Sequence, residues 1–475
     1  MLFNSFDFGV FLVFVYLIYW AIGPNNRRLQ NVFLLLASYF FYGFWDWRFL
    51  GLLVLSSVID YVAGNLLQKE KLKGRRKIIL WVSIAWNLGI LFSFKYFNFF
   101  IESFESLFQI KHSSAYNFWN AAIPVGLSFY TFQTMSYTID VYQKRIQPTK
   151  NILEFFCFVS FFPQLVAGPI EKAKKLLPQF EGKRQFDWNV SKNGLRQILW
   201  GLFKKIIVAE KLGLAVNMVF AAPDDFNFLT IAFAIILFCF QVYCDFSGYT
   251  DIAIGTAKLF GFRLSKNFRL PYLSKSISEF WQRWHITLTQ WFTYYVYIPF
   301  VRLFKKKSLK TKTFALILTM TLVGFWHGAK WTFLLFGLFN GIIMVLERLP
   351  FGKNTKNLKG LLQKSPRVIS LVYVFIVFTI SGLFFRSQNM EQAFYMLKKL
   401  SSFSMNGAFT SLIGWKLGYL VLMVTAEMIF RRKDFPLQDI EEWLPKPVRW
   451  ALYYLLIFII IRYAEPKEAF IYFQF

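Results

Sequence analysis

The chain has 475 residues, 56% hydrophobic and 21% aromatic, with 61 phenylalanines and a mean hydropathy of +0.42. That is too apolar for an ordinary soluble domain, and apolar runs near the roughly 18–20 residues that cross a bilayer recur from end to end. The formal charge of +28 raises nucleic acid as a partner, and its distribution excludes it. The basic residues cluster in short loops beside apolar runs, at "KEKLKGRRK" (69–77), "KKKSLKTK" (305–312), "KNTKNLKG" (353–360) and "RRK" (431–433). This is the positive-inside pattern of cytoplasmic loops, and such a rim also attracts anionic lipid.

The class predicted is an all-α polytopic membrane protein, because a β-barrel would show alternating segments of about ten residues instead. The N-terminal run lacks a basic n-region and a small-residue cleavage site, so it reads as an uncleaved first span. Further spans are predicted in order, giving 8–23, 31–49, 50–67 and 78–101. The polar stretch "ESFESLFQIKHSSAYNFWN" follows, and its His112 reads as an exposed loop histidine.

From about 120 to 340 the apolar runs shorten and are broken by Pro, Gly and charge. "IPVGLSFYTFQTMSYTIDVY" (123–142) opens on Pro-Val-Gly; "SFFPQLVAGPIEKAKKLLPQF" (160–180) holds three prolines; "YCDFSGYTDIAIGTAKLFGF" (243–262) holds Asp245 and Asp251. Irregular backbone at membrane depth is tolerated only where protein buries it or it lines a wet cavity. A central cavity inside smoother spans is therefore expected. "LRQILWGLFKKIIVAEKLG" (195–213) has helical periodicity with a basic face, as in an interfacial helix or a span with snorkelling lysines. Plain spans resume from about 368. No extramembrane domain is expected: one membrane domain over 1–475, with N-terminal spans at 1–110, a core at 120–345 and C-terminal spans at 368–475. The three cysteines, Cys157, Cys239 and Cys244, form no CxxC and imply neither a disulfide framework nor a zinc site.

Two of the three histidines lie in segments of unusual composition: His285 in "SEFWQRWHITLTQWFTYYVYIPF" (278–300) and His327 in "LTMTLVGFWHGAKWTFLLFGLFNG" (318–341). On a continuous helix Gly324, Gly328 and Trp331 would share a face with His327. The glycines fit helix–helix packing, which leaves the imidazole unexplained, and an ionisable group at membrane depth is by default functional. On a helix His285 would share a face with Trp281, Gln282, Leu288 and Thr289; a Trp- and Arg-rich interfacial segment is the competing reading. A buried imidazole held neutral suits general-base work, and a second can orient the first or the acceptor. No G-x-S-x-G elbow, HExxH pair or Walker A loop is present. A proton-coupled transporter, or a membrane scaffold, remains open at this point.

The motifs "WHITLTQWFTYYVYIPF", "GFWHGAKWTFLLFGLFNG", "YCDFSGYTDIAIG", "FPQLVAGPIEKAKKLLPQF" and "PVGLSFYTFQTMSYTIDVY", with the terminal "FIYFQF", resemble the membrane-bound O-acyltransferase (MBOAT) family. Their wording is similar to the alginate-type polysaccharide O-acetyltransferase branch. The resemblance implies a helical bundle around a central tunnel, with about ten to thirteen membrane helices plus interfacial or re-entrant ones. It implies His327 as the catalytic histidine and His285 as its companion. Trp281, Arg283, Trp326, Gly328, Trp331 and Asp245 become candidate substrate-binding residues. No metal or bound cofactor is implied. The donor would be acetyl-CoA or another acyl thioester, the acceptor an extracytoplasmic polysaccharide, and the helper an extracytoplasmic SGNH-type acetyltransferase, all at a bacterial cytoplasmic membrane. A sister branch that transfers D-alanine to teichoic acid is the alternative. After "YIPF" the chain departs from the branch, with "VRLFKKKSLK" in place of a glycine-rich turn.

Overall fold

The computed structural model describes residues 1–109, 123–166, 168–305, 308–349, 357–407, 414 and 417–463. His112, the basic run at 353–356 and the terminal "FIYFQF" lie outside them. Among the described residues the elements are helical, with no β-strand. Contacts group the chain into two units, residues 1–195 with 253–265 and residues 196–252 with 266–475.

The first unit begins with α1 (Phe6–Ala21), whose N-terminus is capped by the Ser5 side chain accepting the Phe8 N–H. Next come α2 (Arg27–Asp46), α3 (Leu50–Lys69) and α4 (Lys73–Leu91), which continues through a wide turn into α5 (Phe97–Phe108). These helices carry the spans expected at 8–23, 31–49, 50–67 and 78–101. Phe14, Leu17, Phe40, Trp81 and Val82 are exposed, as lipid-facing positions should be. Then α6 (Leu127–Tyr142) packs on α3 and α4. It starts where Gly126 adopts φ +74, a left-handed conformation, with the Leu165 carbonyl in the space a Cβ would need. That is the structural meaning of the Pro-Val-Gly break. The polar side chains of α6 face inward: buried Asp60 accepts from Thr138 Oγ1 at 2.7 Å and Asn87 Nδ2 at 2.8 Å, and also from Ser83. Hydrogen bonds of this kind hold membrane helices together where apolar burial gives no drive. The short helices α7 (Ile152–Ser160), α8 (Phe162–Leu165) and α9 (Ala173–Glu181) complete the broken stretch, followed by the start of α10 (Trp188–Leu202).

In the second unit α10 ends in a wide turn over residues 203–209, leading into α11 (Glu210–Ala221) and the long α12 (Phe228–Leu259). The basic face, expected on an interfacial helix or on a span with snorkelling lysines, is instead turned inward: Lys204, Lys205 and Lys211 are buried. Lys204 Nζ lies 2.7 Å from Asp251 and 2.9 Å from Ser247, while Lys205 pairs with Asp245. Charges taken out of water must be paired, and the acids of α12 do this. After α12 come α13 (Ile277–Arg283), α14 (Ile286–Phe292), α15 (Ile298–Leu303), α16 (Leu309–His327) and α17 (Trp331–Leu346). The C-terminal helices are α18 (Leu358–Lys364), α19 (Arg367–Arg386), α20 (Met390–Ser401), α21 (Leu417–Ile429) and α22 (Lys446–Tyr463). Among the described residues four helical stretches are long and apolar enough to cross a membrane: Arg27–Lys69, Lys73–Phe108, Phe228–Leu259 and Arg367–Arg386. The protein is a multi-pass membrane protein.

Candidate active site

Both histidines belong to the second unit. His327 is the last residue of α16, which forms a tight antiparallel hairpin with α17. Glycine makes the hairpin possible. A Cβ on Gly324 would strike the Phe333 carbonyl, and one on Gly337 would strike the Met320 carbonyl. At Gly328 a side chain would collide with the Phe333 ring. The glycines therefore set backbone approach. They also correct the expected helical face: α16 stops at His327, Gly328 is extended, and Trp331, more than half exposed, opens α17.

His285 lies at a break. α13 ends at Arg283, and His285 is the left-handed residue (φ 42°, ψ 53°) that precedes α14. The face shared with Trp281, Gln282, Leu288 and Thr289 on one continuous helix thus does not exist. A left-handed conformation is costly for a residue with a β-carbon and persists only where the surroundings impose it. The surroundings here are polar groups from two other segments. Buried Glu347, just past α17, accepts the N–H groups of Ile277 at 2.6 Å and Ser278 at 3.0 Å, capping α13. Asn340 of α17 accepts Trp281 Nε1 at 3.1 Å and donates to Ser381 of α19 at 2.6 Å. On the α14 side, Asn267 accepts the Ile286 N–H through its backbone carbonyl at 2.9 Å and the Thr287 N–H through its side chain at 3.2 Å.

These constraints bring the two imidazoles together. Their ring centroids are 6.5 Å apart at an interplanar angle of 61°. His285 is fully buried and His327 nearly so. Aromatic rings surround them: Phe246 lies edge-on to His285 at 4.6 Å, and Trp326 stands 5.6 Å from His285 and 4.9 Å from His327. Phe385 and Phe336 lie 5.1 and 5.9 Å from the His327 ring. A pair of imidazoles within an aromatic wall can exchange protons with a reacting hydroxyl.

Of the other residues singled out from sequence, Trp326 touches both histidine rings. Trp281 is buried and anchored to Asn340. Arg283 forms an i,i+4 ion pair with Glu279 at 2.6 Å. Asp245 is buried with Lys205, and its neighbour Phe246 is the residue that meets His285. Sequence reasoning missed Asn267, Asn340 and Glu347. Asn340 and Glu347 did leave a signal, as polar residues within the apolar run "FNGIIMVLERL". No group of three or more potential metal ligands occurs among the described residues.

Residues 39–386 match the membrane-bound O-acyltransferase family, MBOAT, well over half the chain. The chain belongs to the MBOAT family. It is an O-acyltransferase by that membership, which answers the transporter and scaffold alternatives left open by the histidines alone. It is 34% identical to the probable alginate O-acetylase AlgI of Pseudomonas aeruginosa over 458 residues, 93% of this chain and 83% of that protein. It is 31% identical to the peptidoglycan O-acetyltransferase of Helicobacter pylori over 400 residues, 79% of this chain and 74% of that protein. Similarity to the teichoic acid D-alanyltransferase of Streptococcus thermophilus is lower, 27% over 236 residues, 47% of this chain and 56% of that protein. MBOAT membership agrees with the resemblance carried by the histidine motifs.

Proposed function

We propose that this MBOAT protein moves an acetyl group from a cytoplasmic thioester donor, acetyl-CoA in the simplest case, towards hydroxyls of an extracytoplasmic polysaccharide. The observation that supports this reading best is the buried pair His285–His327, in a chain similar over most of its length to an alginate and a peptidoglycan O-acetylase. In the proposed step His327 accepts the proton of the acceptor hydroxyl while that oxygen attacks the thioester carbonyl carbon. The tetrahedral intermediate collapses, the C–S bond breaks, and the proton passes from the imidazolium to the departing thiolate. Atoms and charge balance without a metal or redox partner. His285 positions His327 or the acceptor. Trp326, against both rings, helps keep water from the thioester, and Trp281, Arg283, Gly328, Trp331 and Asp245 remain proposed contributors to substrate binding.

The reading extends to a bacterial cytoplasmic membrane, and to an SGNH-type extracytoplasmic partner that completes transfer to the polymer. D-alanyl transfer to teichoic acid is the second reading, supported by the D-alanyltransferase similarity over about half of the chain. Purified protein supplied with radiolabelled acetyl-CoA tests the donor: turnover to free CoA with label on the polymer or the partner supports the proposal, and no consumption of the thioester refutes it.

A further inference from the structure

Asn267 is buried, in the segment that runs antiparallel to the turn holding His285, where the Arg269 N–H also meets the Arg283 carbonyl at 2.9 Å. Its side-chain oxygen is the meeting point of three groups: the Thr287 N–H at 3.2 Å, the Thr287 hydroxyl at 2.9 Å and His285 Nδ1 at 3.2 Å. A backbone N–H can only donate, so the Asn267 atom facing it must be the carbonyl oxygen and not the amide nitrogen. An oxygen that serves as acceptor there must also be the acceptor toward the imidazole. His285 Nδ1 therefore carries the hydrogen, and in the neutral ring the lone pair is on Nε2. The same residue holds the backbone on the next position, through its carbonyl and the Ile286 N–H at 2.9 Å.

We propose that Asn267 is a positioning residue of the active site, which fixes His285 in its left-handed turn as the Nδ1–H tautomer with Nε2 as its basic nitrogen. This rests on the reading of His285 as a member of the catalytic pair. Thr287 is part of the device: its N–H and hydroxyl orient the amide, so the backbone of α14 takes part in the choice of tautomer. The acceptor is neutral, so it selects the tautomer without adding a charge beside the ring.

Three histidines in the whole chain make the test direct. Protein labelled with 13C,15N-histidine is reconstituted in liposomes and read by solid-state 13C–15N correlation, in which Cγ couples to Nδ1 and Cδ2 to Nε2. The His285 signals are those lost in His285→Gln. In the native protein the hydrogen is expected on Nδ1. In Asn267→Ala a substantial Nε2–H population should appear, and polymer acetylation should fall at least tenfold at matched membrane levels. Asn267→Asp keeps an acceptor in place, and should retain Nδ1–H and recover most of the acetylation lost in Asn267→Ala. A native His285 protonated on Nε2, or an Asn267→Ala protein with an unchanged Nδ1–H signal, overturns the proposal; the native spectrum decides even if the alanine variant misfolds. His285→Ala is assayed in parallel. Full acetylation there would refute the catalytic reading of His285 whatever the tautomer, and a loss there with the wrong tautomer would refute the role of Asn267 alone.

Discussion

His285 and His327 are separated by 42 positions in the chain, yet their imidazoles stand 6.5 Å apart, one at a left-handed turn and the other at the last residue of a helix. Neither ring is placed by its own helix alone. His327 depends on the glycine contact between α16 and α17, and His285 depends on Asn267, Asn340 and Glu347.

Glu347 should matter for stability although it touches neither imidazole in the contacts described above. Glu347→Ala leaves the Ile277 and Ser278 N–H groups buried without their acceptor, at a cost of about 1–3 kcal/mol for each. The apparent Tm in detergent should fall by several degrees, and acetylation should fall with it. An unchanged Tm would mean that the α13 cap does not hold the site.

Gly337 is expected to tolerate no β-branched residue. Gly337→Val would drive a side chain into the Met320 carbonyl and the backbone of Thr321, and overpacking of this kind costs about 1–3 kcal/mol or more. Expression at the membrane and activity should both drop. Gly418, with open space around its missing Cβ, supplies the control, and Gly418→Ala should behave as wild type.

The pair of buried Lys204 and partly buried Asp251 gives a third prediction. Lys204→Met strands Asp251, 2.7 Å from the lost ammonium, and Glu427, 3.7 Å from it. Breaking one side of a fully buried pair costs about 3–5 kcal/mol, an upper bound here because Asp251 is partly exposed. The double variant Lys204→Met/Asp251→Asn should be more stable than Lys204→Met alone, a coupling readable in a double-mutant cycle of thermal unfolding. Additive effects would show that the pair is not coupled.

Topology can be checked independently. Reporter fusions within 69–77, 305–312 and 353–359 should all report a cytoplasmic location, by the positive-inside rule. An extracytoplasmic result at 305–312 would contradict the placement of the segment between the two histidines.

The membrane class was legible in long apolar runs and His327 in an imidazole where hydrocarbon is expected; His285 joined the pair through the resemblance of its motif, because its own segment also read as interfacial. The spans at 31–49 and 50–67 fall on α2 and α3 because uninterrupted apolar length specifies a helix in lipid. What was not legible depended on distant partners. "KK" at 204–205 reads as an exposed basic face until Asp245 and Asp251, some forty residues on, are seen to neutralise it. The chain around "WQRWHITL" carries helical periodicity on both sides of His285. The break is imposed by Asn267 and Glu347, neither of which lies in that segment. Likewise "GFWHGAKW" hides a helix end, because glycine at 328 answers to the Phe333 ring and not to a helical face.

The most direct measurement of the central claim is the O-acetyl content of the polymer in cells that express His327→Ala, His285→Ala or His112→Ala at equal membrane levels. Loss of an acid–base group typically lowers rate by about 10²–10⁴. The account predicts near-complete loss for His327→Ala, strong impairment for His285→Ala and wild-type acetylation for His112→Ala. Normal acetylation by the His327→Ala protein would contradict it.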